Sequence, residues 1–155
     1  MAVVTTLSDL IHDPLNRADG APYPPDPHKA RGHVVYATGT VANGSSDSSG
    51  STFVLADIPS NALVHEDTFF DVAAWGFAQV VIGVVGDTDA LVDQTKATEN
   101  IVTPFAIGDA FHGKEWWDAL GMAADPKGNI RLIASAEAGA TGAGSMPFRI
   151  AYIAP

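Results

Sequence analysis

A 155-residue chain with net charge −10 and no cysteine is the size of one domain, large enough to bury about 70% of the surface its unfolded form would expose. The missing thiols exclude disulfides, thiolate nucleophiles and cysteine-ligated metals. The negative surplus repels phosphate backbones and anionic bilayers, so neither direct nucleic-acid binding nor membrane association is expected. Hydrophobic residues make up 46% and charged residues 17% of the chain, a balance that builds a core and does not read as disorder.

The chain divides at about residue 33. Residues 1–33 form a Pro-rich arm, with Pro14, Pro22, Pro24, Pro25 and Pro27. Each proline fixes its own φ, lacks an N–H and pushes its predecessor toward extended backbone, so a long helix or a central strand is excluded there. The one helical pattern is residues 6–15, where Leu7, Leu10 and Ile11 share a face. No basic stretch followed by an apolar run marks a secretory signal, and the longest apolar run, residues 78–85, is far below the ~20 residues of a bilayer span; a soluble, cytoplasmically made chain is expected.

From residue 34 the pattern is of short apolar runs between Gly, Asp, Asn and Pro. Residues 34–41 read as a first strand, interrupted by Gly39, and residues 42–51 as a small polar loop. Residues 52–58 alternate Phe53 and Leu55 against Val54 and Ala56 until Pro59 stops them. Residues 68–72 and the β-branched run 78–85 are further strands, residues 87–93 a polar turn, and residues 101–105 an edge strand limited by Pro104. Residues 113–121 carry Trp116, Ala119 and Leu120 at helical spacing, residues 125–128 are a turn, and residues 129–136 and 146–153 are two last strands. Short strands at this spacing predict an all-β fold, a jelly-roll-like β-sandwich over residues 34–155 carrying the extended N-terminal arm and at most one or two short helices; a β-helix or a small α+β fold is the alternative.

Catalytic patterns are weak. No G-x-S-x-G elbow is present, and of the five histidines His12, His28 and His33 lie in the arm, leaving His65 and His112. The acidic group Asp87, Asp89 and Asp93 offers oxygens to a cation, but Leu91 and Val92 stand where a calcium loop wants an oxygen and a Gly, so a solvated turn is the plainer reading. Asn43-Gly44-Ser45 matches a glycosylation acceptor by coincidence. Nothing calls for a cofactor, and binding is more plausible than catalysis. Adjacent Trp116 and Trp117 cannot both point into one core: the plainer reading packs Trp116 inward with Trp117 over the domain edge, and the other makes the pair a candidate exposed aromatic platform. In the arm, Leu10, Ile11, Leu15, Tyr23, Pro24 and Pro25 are candidate contacts to a neighbouring subunit, because Tyr-Pro-Pro is a low-entropy extended segment.

Beyond the arm the chain resembles small structural proteins of tailed bacteriophages encoded near the major capsid protein. The resemblance runs through Ala-Thr-Gly-Thr-Val-Ala-Asn-Gly at 37–44, Ala-Asp-Ile-Pro-Ser at 56–60, Asp-Thr-Phe-Phe-Asp-Val at 67–72 and Trp-Gly-Phe-Ala at 75–78. It continues with Asp-Ala-Leu-Val-Asp-Gln-Thr-Lys-Ala at 89–97, Gly-Asp-Ala-Phe-His-Gly-Lys at 108–114 and the Thr-Gly-Ala-Gly-Ser-Met-Pro-Phe-Arg-Ile-Ala-Tyr-Ile stretch from Thr141. It implies a decoration or cement protein on the virion exterior, often trimeric, whose partner is the major capsid protein. A glycan-binding virion domain using Trp116 and Trp117 is the alternative function.

Overall fold

The structure, a computed structural model, describes residues 32–155. It is an all-β sandwich of two antiparallel sheets. The strands are β1 (His33–Asn43), β2 (Thr52–Pro59), β3 (Leu63–Val64), β4 (Phe69–Asp71), β5 (Gln79–Val84), β6 (Asp87–Thr95), β7 (Ile101–Val102), β8 (Asn129–Ser135) and β9 (Gly144–Ala154). One helical turn, α1 (Trp116–Ala119), precedes β8. The first sheet has the order β1-β9-β4-β7, with β3 also pairing β9, and the second the order β2-β8-β5-β6.

Alternation builds the core. On β8, Ile130, Leu132 and Ala134 point inward, and on β9 Met146, Phe148 and Ile150 do the same from the facing sheet. Between them lie Phe70, Trp75, Ile82 and Trp116, each at most 1% exposed. Phe53, Trp75 and Phe77 meet at 5.2–5.7 Å between ring centroids, the tilted and edge-on contacts that aromatic quadrupoles favour. β1 continues through Gly39, where glycine stands because the Phe148 ring lies over it: a Cβ there would come within 2.8 Å of the ring.

Two strands differ from the sequence expectation. Residues 87–93 are not a turn but most of β6, whose pairing with β5 runs from Gln79–Thr95 to Ile82–Val92 and resumes only at Val84–Asp87. Residues 88–91 therefore bulge away from the ladder, and the carbonyl of Asp87 passes so close to Gly83 that any side chain there would collide. The strict alternation expected in residues 52–58 is also broken, by a register shift between Val54 and Ala56 on β2.

The ends of the long strands are tied by Asn43, which is buried. Its Oδ1 accepts from the Gly76 N–H at 3.0 Å, and its Nδ2 donates to the carbonyls of Gly142 and Gly44 at 2.9 and 3.0 Å. This carboxamide is fully engaged, so the Asn-Gly-Ser tripeptide is a structural clamp.

Candidate functional site

Residues directly opposite in an antiparallel pair share a face. The register sets Val34 against Ile153, Tyr36 against Ala151, Thr38 against Arg149, and Phe69 against Arg149 from the other side. One row across three strands, Thr38–Arg149–Phe69, thus lies on the outer face of the first sheet. The Arg149 guanidinium carbon sits 5.1 Å from the Tyr36 ring centroid and 5.3 Å from that of Phe69, within cation–π range of both. The Tyr36 hydroxyl donates to the Asp67 carboxylate at 2.8 Å. That bond to a negative group, helped by desolvation, pushes the hydroxyl above its usual titration range.

This patch is apolar at its margins. Val34 is 43%, Tyr36 51% and Ile101 45% exposed. Tyr, Phe and Arg around exposed aliphatic groups are the composition enriched where proteins bind one another. A positive charge at its centre stands out on a chain of net −10. Among the described residues Arg149 makes no ion pair, whereas Arg131 is held by Asp57 and Lys114 by Asp118.

The residues singled out from sequence are placed elsewhere. Trp116 is wholly buried, edge-on to Phe105 at 5.2 Å, because its N–H and that of Trp117 donate to Ala62 and Ser60 and pin α1 onto the chain between β2 and β3. It is therefore no part of an exposed platform and takes the inward place that the plainer reading of the pair gave it. Trp117 packs partly against the core and donates its indole N–H to Glu115. Asp87 and Asp89 face each other across a hydrogen bond, which raises the Asp87 pKa, while Asp93 accepts from the Gln79 side chain at 2.7 Å. Among the described residues no three His, Asp or Glu side chains converge as metal ligands. The arm residues Leu10, Ile11, Leu15, Tyr23, Pro24 and Pro25 lie outside the described residues.

A second depression, of about 190 Å³, lies between Val64 and the 105–113 segment, with Phe105 and Phe111 in its wall and His112 at its rim. Its Asp109 carboxylate is spent on the loop itself, accepting from the N–H groups of Ala106 and Phe111. Sequence reasoning missed Tyr36, Phe69 and Arg149 as a unit because they lie far apart in the chain. The available signal was the period-2 pattern of β1 and β9 alone.

No protein-family model, curated protein or solved structure matches the chain.

Proposed function

We propose that the chain is a virion structural protein, a decoration or cement protein that binds the outer capsid surface of a tailed bacteriophage and stabilises it by bridging neighbouring subunits. In this reading it acts as a homotrimer, its partner is the major capsid protein, and its place is the capsid exterior. The observation that carries the reading is the outer-face patch of Val34, Tyr36, Phe69, Ile101 and Arg149: an exposed aromatic and aliphatic surface with a central cation. The sequence resemblance to phage structural proteins supports it from a second side.

We further propose that the sandwich is a jelly roll. Setting aside the two-residue β3, the remaining eight strands fall in the orders first-eighth-third-sixth and second-seventh-fourth-fifth, the alternation between sheets that two wrapped Greek keys produce. That architecture recurs in viral capsid and lectin domains, an association of fold and not of site.

The test is co-sedimentation of the purified chain with heads assembled from the major capsid protein encoded beside it. Binding should fall at least tenfold in Arg149→Ala and in Tyr36→Ala, with the β-sheet circular dichroism retained. No binding by the parent chain, or instead glycan-array binding that Trp117→Ala removes, would overturn the reading.

A further inference from the structure

A β-sheet edge presents unpaired N–H and C=O groups and is a template for another strand unless something blocks it. Among the described residues the two sheets have four edges. β7 is two residues long. β2 is bulged between Val54 and Ala56, carries the Asp57–Arg131 ion pair and ends in Pro59. β6 bears Asp87, Asp89 and Asp93 and its long bulge. β1 has none of these devices. It runs 11 residues in unbroken register with β9 and holds no charged residue or proline from Val34 to Asn43.

The polarity of its outer edge follows from two observations. The Ala151 N–H donates to the Thr68 hydroxyl at 3.0 Å, and that hydroxyl donates back to the Ala151 carbonyl at 3.1 Å. Both Ala151 backbone groups therefore face away from β1, so Tyr36–Ala151 is a non-hydrogen-bonded pair and the Tyr36 N–H and C=O point to the open side. Alternation gives the same direction to Val34, Thr38 and Thr40, and Pro147 opposite Thr40 has no N–H to offer the ladder. The core also thins toward this edge. Val35, Ala37 and Val41 are only half-buried, whereas Ile150 and Met146, opposite Ala37 and Val41, are completely buried.

We propose that the open edge of β1 receives residues 2–6 of a second copy of this chain as an added strand. That segment, Ala-Val-Val-Thr-Thr, is uncharged, free of proline and has four β-branched residues in five, the composition of a strand. Placed beside β1, this five-residue strand covers part of the half-buried row of Val35, Ala37 and Val41, and its backbone serves up to three of the four outward-facing residues, the β-augmentation mode of recognition.

The source in a second copy follows from the chain between donor and acceptor. Residues 7–32 separate the segment from β1 and include five prolines. Extended at ~3.1 Å per residue, residues 15–31 alone reach on the order of 50 Å, beyond the ~35 Å diameter of a domain this size. A return to its own edge would instead need a structureless loop of a length uncommon within compact domains. Each copy then both gives and receives a strand, a head-to-tail contact that makes a ring when the rotation between copies closes. The proposal rests on the reading of the chain as a self-assembling clamp, but its test contains no capsid, so the two fail separately.

The natural chain has no cysteine, so Val4→Cys and Thr40→Cys can be made as separate full-length variants, mixed and treated with a short bismaleimide. Cross-linked dimers should form between the two variants. Adding Thr38→Pro to the Thr40→Cys variant should reduce them at least tenfold, since the lost N–H serves only an added strand and the β1–β9 ladder keeps its bonds. Deleting residues 2–6 should lower the native mass to that of one chain, with the β-sheet circular dichroism retained. No cross-linking between the two variants, cross-linking undiminished by Thr38→Pro, or a parent chain that stays a single copy at every concentration would each overturn the proposal.

Discussion

β1 and β6 are both edge strands of comparable length, yet they solve the same problem in opposite ways. β6 is fenced by three carboxylates and a four-residue bulge, which disfavour pairing along it. β1 is straight, uncharged and flanked on one face by the Tyr36–Arg149–Phe69 stack. The contrast teaches where this protein is built to be left alone and where it is built to be met. An undefended edge costs solubility, so its presence beside three defended ones marks it as an interface.

The comparison breaks most visibly from beneath. Phe148 lies under Gly39 of β1, and Phe148→Ala should cost ~3–5 kcal/mol in urea unfolding, as large-to-small changes in aromatic core positions do. Backbone amides of β1 should then exchange faster than those of β6, because the cavity opens beneath the first sheet, where Phe148 meets Gly39 and Phe70, and β6 belongs to the other sheet. Equal acceleration in both strands would show that the two edges are not independent.

A smaller effect is expected at Thr68, which substitutes its hydroxyl for a ladder strand beside Ala151. Thr68→Val keeps the shape but leaves a buried N–H and C=O without partners, at about 1–3 kcal/mol for each group so stranded. The thermal midpoint should fall and the Ala151 amide should lose protection, while exchange along β6 stays as it was.

The smallest effect lies on the fenced edge and depends on pH. Asp89 beside it raises the Asp87 pKa, so the folded state holds that proton more tightly than the unfolded chain. The stability this gives is present at acid pH and is lost as pH rises through the folded pKa. Asp87→Asn should therefore raise the melting temperature at neutral pH, with the advantage shrinking on acidification. Asp57 and Asp125 behave oppositely. The Arg131 guanidinium holds the Asp57 carboxyl below its ordinary range, and the Ser60 hydroxyl with the Lys127 N–H does so for Asp125. Their stabilisation is present near neutrality and disappears as pH falls through the depressed values. Melting curves of Asp57→Asn should accordingly converge with the parent at low pH.

Much of the fold was legible because apolar runs and turn residues act locally. The strands around residues 34–41, 78–85, 129–136 and 146–153, and the helical turn at Trp116, correspond to β1, β5, β8, β9 and α1. β6 was illegible because Asp-Thr-Asp reads as turn chemistry, and only the hydrogen-bonding partner β5 makes that backbone extended. The bulge in β2 was hidden for the same reason, since register belongs to a pair of strands. Adjacent Trp116 and Trp117 showed that one ring must leave the core, while which one stayed was decided by the backbone bonds that pin α1 beneath Ala62 and Ser60.

The amino-acid sequence alone determined a cysteine-free, acidic, all-β domain behind a proline-rich arm, because composition, backbone restriction and period-2 hydrophobicity are properties of neighbouring residues. The tertiary structure alone decided that Tyr36, Phe69 and Arg149 share one face, that residues 87–95 are a strand, and that β1 ends its sheet without a guard among the described residues. Each of these depends on which strands lie side by side, and that is settled by long-range pairing and packing, which no local pattern encodes.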